Sequence, residues 1–491
     1  MRGPEDEIPA AVEEEPVQQP EESLHSDAVL VGAEDFVQRQ ISRTLAELDD
    51  SEPDFGRACD LVRIYIGTLL KTDQVSLLLG SGCSRHAGGV LLGTVPYEVE
   101  RGLLMRGIDK DGTPESWLHL FYRTTQYFGD AVQRDPLQRL EQVNQIEECR
   151  TADPTRAEEL LKAFPIATNY EELLSRLHTW SASLGADYLA VGVPLGEDVI
   201  VNRADLGTLI QELTIGLAEA CTLRPDYDDA NLRYHRLLVQ RLLTRPINLR
   251  RVDLFTLNYD TLLEQAMDSC GIVTVDGFVG SLRRVFRPES YDHDLYFPGD
   301  TTEGRVHRLD RVMHLYKLHG SVSWRTEKPG WHNPYGLYAT FHEDADNHDV
   351  LIYPTPLKYG EVLGMPYSEM FRRFASSIVR PQSVLFVMGY GFRDAHVNAI
   401  IRQALAIPSF TLVVVDPAPK NPFLTQLIEQ KDKRVCVIKG GRLGTFSGFV
   451  EQLLPDLDEE KILQDVLKTY KALDPGQLRD SAPVTGENNG E

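Results

Sequence analysis

Gln74-Val75-Ser76-Leu77-Leu78-Leu79-Gly80-Ser81-Gly82-Cys83-Ser84 is the stretch that decides the fold. Its first six residues make a short apolar run, the pattern of a strand buried on both faces of a parallel sheet, and the run stops at a glycine cluster. Glycines at the carboxyl end of a strand let backbone approach a pyrophosphate, and Ser84 adds a hydroxyl. A tight turn with no ligand explains the same residues equally well, so the stretch needs support from elsewhere in the chain.

Further strand-like runs provide it, at Val252–Thr256, Val312–Leu318, Val384–Met388, Leu412–Val415 and Val435–Ile438, most of them followed by turn or helix patterns. The alternation predicts an α/β fold, a Rossmann-like doubly wound, mostly parallel sheet. Between Gly88 and about Leu249 amphipathic stretches such as Glu171–Leu184 and Leu206–Thr222 dominate, which predicts a large helical insertion. The domain expectation is therefore an acidic tail over 1–35, a Rossmann-like domain over 36–87 and 250–455, and a helical insertion over 88–249. A Gly-, Pro-, Arg- and Asp-rich surface insertion covers 276–310, and a charged amphipathic helix, Leu457–Leu473, with a polar tail makes up 456–491.

Composition narrows the class. A hydrophobic fraction of 42% allows a sizeable core, so disorder is expected only locally. The net charge of −24, from 50 basic and 74 acidic residues, repels phosphate backbones and anionic membranes and argues against direct nucleic-acid binding. Glu5, Asp6, Glu7 and Glu13 to Glu15 alternate with Pro4, Pro9 and Pro16, and such a segment cannot bury enough apolar area to offset its ordering entropy. The six cysteines show no paired metal-binding spacing. Without a signal-like amino terminus or an apolar run of about 18 residues, the expectation is a cytoplasmic protein that does not enter the membrane. No G-x-x-x-x-G-K-[ST] loop is present, so ATP-driven work would have to come from a partner.

Four more strand ends carry chemistry. Phe255-Thr256-Leu257-Asn258-Tyr259-Asp260 runs an apolar strand into two polar residues, which either meet a ligand or break the strand and cap the next helix. Leu315-Tyr316-Lys317-Leu318-His319-Gly320-Ser321 delivers a histidine, suited to proton transfer near neutral pH, into a glycine turn. Val387-Met388-Gly389-Tyr390-Gly391-Phe392-Arg393-Asp394 is a second glycine turn, and Val413-Val414-Val415-Asp416-Pro417 ends on an acid able to hold ribose hydroxyls. Each has a plain turn explanation, but five such ends on one sheet are hard to dismiss together.

In this order the motifs resemble the sirtuin (silent information regulator) family, over about residues 74 to 440. The resemblance implies that Gly80, Ser81, Gly82, Cys83 and Ser84 form the NAD pyrophosphate and ribose loop and that Asp260 lies with Asn258 beside the nicotinamide ribose. It further implies that Asn258 and His319 are catalytic, that Gly389 and Tyr390 line the cofactor, and that Asp416 faces the adenosine end. Protein-deacylating sirtuins carry two Cys-x-x-Cys zinc pairs after the histidine motif, whereas here no cysteine lies between Cys270 and Cys436, so no zinc is expected. Leu257 replaces the usual Gln before the Asn, and Gly88-Gly89-Val90-Leu91 replaces the Pro-Asp-Phe-Arg stretch.

The zinc-free pattern looks like the sirtuin-like effectors of bacterial antiphage defence. That likeness implies an NAD hydrolase (glycohydrolase) that releases nicotinamide and ADP-ribose. It also implies a homo-oligomer and activation through a partner protein such as a DNA-translocating ATPase or another sensor encoded nearby. The alternatives are an NAD-dependent protein deacylase and a non-catalytic NAD- or ADP-ribose-sensing module.

Overall fold

A computed structural model describes residues 26–89, 95–127, 135–163, 170–183, 193–194, 200–201, 203–223, 230–298, 306–340, 350–352 and 365–456. Among them, nine strands form the central sheet: β1 (Ala28–Val31), β2 (Glu34–Asp35), β3 (Gln74–Leu79), β4 (Asp253–Thr256), β5 (Val273–Val275), β6 (Val312–Lys317), β7 (Ser383–Met388), β8 (Thr411–Val415) and β9 (Val435–Lys439). Across the sheet they run β2-β1-β9-β8-β7-β3-β4-β6-β5. Every pairing from β9 to β5 is parallel, and only the β1 and β2 edge is antiparallel. This is the α/β, Rossmann-like sheet expected from the strand runs.

The apolar runs are continuous because both faces of the sheet are covered. Val75, Leu77, Leu79, Phe386 and Met388 point into one core, with the helix Pro53–Leu70. Leu78, Leu385, Val387, Leu412 and Val414 point into the other, with the helices Tyr367–Ile378 and Ala395–Leu405. Strand order fixes where a ligand crevice opens. β3 connects onward to β4 on one side, while β7, its neighbour on the other side, begins the second half of the sheet. The turns after β3 and β7 therefore diverge at a topological switch point.

Three regions differ from the sequence expectation. Residues 28–31, expected within the acidic tail, form β1, between the edge strand β2 and β9, and its Val29 is fully buried. Four apolar residues directly after an acid-rich segment are too few to shift a composition reading, and only pairing with a strand some 400 residues away orders them. The helix Arg233–Leu243, expected in the insertion, packs Leu238, Val239 and Leu242 into the main core. The insertion's own core joins the helices Val95–Gly107, Ser116–Tyr127, Pro136–Ala152, Tyr170–Ser183 and Arg203–Cys221 around Leu103, Phe121, Leu177 and Leu213.

Within the 276–310 stretch, Tyr296–Pro298 and Val306–Arg308 pair as an exposed hairpin. Phe278–Val279 and Arg284–Phe286 instead enter a five-stranded antiparallel sheet with Gly320–Thr326, Leu337–Ala339 and Val350–Ile352, and bury Phe278 and Phe286. Part of that stretch is thus core, which its turn-rich composition concealed. The expected helix Leu457–Leu473 and most of the acidic tail lie outside the described residues. No helix among the described residues is long and apolar enough to cross a membrane.

Candidate active site

The site grows from four strand ends. Beyond β3 the chain enters a short 3-10 helix, Ser81–Ala87, and beyond β7 it turns through Gly389 with a φ of +62°, a left-handed conformation that suits glycine. These two turns pack on each other so closely that a Cβ at Gly82 would lie 2.7 Å from Gly389 Cα. The Gly80 amide donates to Met388 O, the Gly82 amide to Gly389 O and the Cys83 amide to Gly80 O. The glycine pattern is therefore demanded first by turn-against-turn packing, and three amides of the loop are already spent. The Cys83 thiol is fully buried and donates to Met388 O at 3.3 Å, and burial pushes its pKa up, so only the backbone of this residue borders the crevice. Of the two serine hydroxyls of the loop, that of Ser84 is committed to Asn258 and Asp260, which leaves Ser81 as the one not tied into the cluster.

β4 lies between β3 and β6, and both ladders continue past the strands: Leu257 N donates to Leu79 O and Leu318 N to Thr256 O, both at 2.9 Å. That continuation sets the Asn258 turn beside both the β3 turn and the His319 turn. Asn258 Nδ2 donates to Gly80 O and to Ser84 Oγ, each at 3.0 Å. Because Gly80 O can only accept, the amide orientation is fixed, both amide hydrogens are used, and Oδ1 is the atom left to meet a ligand. Ser84, buried at 3% exposure, passes its own hydrogen to Asp260 Oδ2 at 2.6 Å. The other Asp260 oxygen accepts from Leu262 N at 3.1 Å. Asp260 thus holds the first turn of the helix Leu262–Ser269, as the cap reading expects, and belongs to the polar cluster at once.

His319 Nε2 lies 3.1 Å from Asp394 Oδ2, with the two side chains 11% and 7% exposed. A carboxylate is acceptor-only at neutral pH, so Nε2 carries the hydrogen and Nδ1 carries the lone pair in the neutral ring. Asp394 Oδ1 caps the helix Ala395–Leu405 by accepting from His396 N at 2.9 Å. Its backbone is clamped in turn by Tyr390, whose hydroxyl accepts from Asp394 N and donates to Asp394 O, both at 3.1 Å. Tyr390 is buried at 8%, so it acts on the crevice through Asp394. Asp416 ends β8 on the same edge of the sheet, where its Oδ1 accepts from Ala418 N at 2.8 Å and partial burial raises its pKa.

Three supporting residues escaped sequence reasoning. Asp394 reads as a helix cap, and nothing local shows that its second oxygen holds a histidine 75 positions earlier. Lys317, the last residue of β6, is buried with its ammonium on the Asp260 carbonyl and 2.9 Å from Glu264 Oε1. A lysine ending a mostly apolar strand was the available signal. Burial raises the Glu264 pKa against the pull of Lys317, and Glu264 Oε2 has no hydrogen-bond partner among the described residues. This pair ties the end of β6 to the first turn of the helix that follows the Asn258 turn.

Residues 252–438 match the family description of a SIR2-like domain. No curated protein matches the chain. The matched stretch holds Asn258, Asp260, His319, Gly389, Tyr390 and Asp416, while the glycine turn at Gly80–Ser84 lies ahead of it and joins it only through the sheet. SIR2-like domains use NAD in general, and the parallel sheet with its crevice at the β3/β7 switch point is the Rossmann-like architecture of such a domain.

Proposed function

We propose that this chain is an NAD glycohydrolase that cleaves NAD to nicotinamide and ADP-ribose. The observation that carries the reading is the state of two atoms at adjacent parallel strand ends. Among the described residues, Asn258 Oδ1 and His319 Nδ1 are left for a ligand after every other polar atom of these two side chains has found a protein partner.

In this reading Asn258 Oδ1 accepts a hydrogen from the attacking water or from the ribose, and His319 Nδ1 takes the proton as water adds to the anomeric carbon that loses nicotinamide. Bond breaking builds positive charge on the ribose, and the Asp260 carboxylate nearby stabilises it. Asp394 is a positioning residue, holding the His319 ring and its tautomer. Ser81 offers its hydroxyl to the ribose and pyrophosphate and Ser84 ties Asn258 to Asp260, with Gly80, Gly82 and Gly389 shaping the crevice, Tyr390 steadying it and Asp416 toward the adenosine end.

Hydrolysis rather than deacylation is favoured by the absence of any cysteine between Cys270 and Cys436, the span in which deacylases hold zinc. We assign the chain to antiphage defence as an oligomeric effector released by a partner. The test is to incubate the purified chain with NAD, alone and with the product of its neighbouring gene, and follow nicotinamide. Nicotinamide release that Asn258→Ala and His319→Ala each lower by about 10²–10⁴-fold is expected, the usual range for losing a positioned acid or base. Release that depends on an added acyl-lysine peptide, or full activity in either variant, overturns the assignment.

A further inference from the structure

At the other end of the sheet, where β3, β4 and β6 begin, a cavity of about 420 Å³ is lined by Arg250, Arg251, Arg308, Arg372, Arg373 and Arg380. Gln74, Asp253 and His314, borne on the same three strands that carry Gly80, Asn258 and His319 at their far ends, form its floor. Two carboxylates, Asp253 and Asp292, join six guanidinium groups on the lining of a chain whose net charge is −24. On the lining itself cations outnumber carboxylates, the reverse of the whole molecule.

The arginines are held from behind. Asp294 pairs with both Arg251 and Arg308 at 2.6 Å, and main-chain carbonyls of Val312 and Leu249 complete their orientation. Glu369 holds Arg372 and Arg373, each at 2.6 Å. The Asp253 carboxylate on the floor is satisfied by Ser377 Oγ and by Gln74 Nε2 at 3.1 Å, so it does not need the guanidinium groups. Arg372 spends Nε and Nη2 on Glu369, which leaves Nη1, and its side chain is 59% exposed. Arg250 is 61% exposed and held only loosely, 3.4 Å from Asp73. Arg380 Nη1 reaches Gln74 Oε1 at 3.3 Å on the third side.

We infer that this cleft is a second ligand site, separate from the crevice at the carboxyl ends, and that it binds a small oligophosphate anion. Arg251 and Arg373 spend their guanidinium nitrogens on Asp294, Glu369, Asp292 and main-chain carbonyls. Among the described residues the donors that remain for phosphate oxygens are therefore on Arg250, Arg308 Nη2, Arg372 Nη1 and Arg380 Nη2, on stems whose ordering entropy is in part already spent. The cavity volume lies in the range of small-molecule sites and suits a diphosphate, alone or on a nucleoside. The inference does not depend on the reaction at the other end of the sheet.

Titration calorimetry with pyrophosphate and, separately, with ADP tests it on the full chain. Saturable binding that weakens at least tenfold in Arg250→Ala/Arg372→Ala, two exposed positions whose loss should spare the fold, is the expected result. Asn258→Ala should bind as the parent chain does, and added NAD should not displace the ligand. Tighter binding of ADP than of pyrophosphate identifies a nucleotide, and equal binding an inorganic oligophosphate. No saturable binding of either probe, binding unchanged in the arginine variant, or displacement by NAD overturns the inference.

Discussion

The two ends of β3, β4 and β6 use the same strands for opposite chemistry. At the carboxyl ends the side chains facing the crevice are mostly short and neutral or acidic, with Lys317 buried behind them, and they satisfy one another until single atoms remain, Asn258 Oδ1 and His319 Nδ1. At the amino ends the side chains are long and cationic, anchored by carboxylates at their backs with donors left at the rim. The difference follows from reach. Parallel strand ends bring backbone turns within hydrogen-bonding distance, which suits Asn, Ser and Asp, whereas a wider opening between helix and sheet is filled by arginine stems. A rigid sheet can therefore carry a precise site at one end and a charge-matched site at the other.

The comparison breaks most sharply at Lys317. Lys317→Met leaves Glu264 buried without its cation and should cost about 3–5 kcal/mol of stability, whereas Lys317→Met with Glu264→Leu should recover most of that loss. Urea unfolding of the two variants measures it, and a double variant as unstable as the single one would show that the pair is not what holds this end together.

Next comes Asp394→Asn, which retains a side-chain oxygen for the helix cap but offers His319 an amide. Nicotinamide release should fall by about 10²-fold through kcat with the melting temperature nearly unchanged, because misplacement of a catalytic group costs on that order. An equal loss of stability and activity would assign Asp394 to the cap alone.

At the amino end Ser377→Ala removes a donor to Asp253 and should cost about 1–3 kcal/mol, the price of a buried acceptor short of a partner, with NAD turnover at saturating NAD unchanged. A fall in turnover at saturating NAD would mean that the two ends are coupled.

The smallest effect is one of pH. Burial lowers the His314 pKa, so the unfolded chain takes up its proton first as the pH drops. The stability contributed by neutral His314 is complete above about pH 6.5, the free-histidine value, and is lost as the pH falls below it, by at most about 1.4 kcal/mol per pH unit. His314→Gln should flatten that slope between pH 5 and 7 in urea midpoints, and an unchanged slope would remove His314 as its source.

The strands of the parallel sheet were legible because burial on both faces writes itself as an unbroken apolar run, and β3 matches its run residue for residue. β1 was not, since a four-residue strand near the sheet's edge has meaning only beside β9. The helix Arg233–Leu243 reads as amphipathic from sequence, but which core takes its apolar stripe is a question of docking. Among the site residues, Asn258 and His319 announce themselves as polar residues ending apolar runs. Asp394 and Glu264 do not, because their cap and helix positions already have local explanations.

The sequence by itself determined the α/β class, the order of the strand-end motifs and the absence of cysteine pairs after His319, since these are properties of periodicity and spelling. Only the tertiary structure decided that the glycines of two turns serve each other, that Asp394 fixes the His319 tautomer and that six arginines from four segments share one cleft. Each of these depends on contacts between residues far apart in the chain, and a hydrogen bond or a field is set by distance in space.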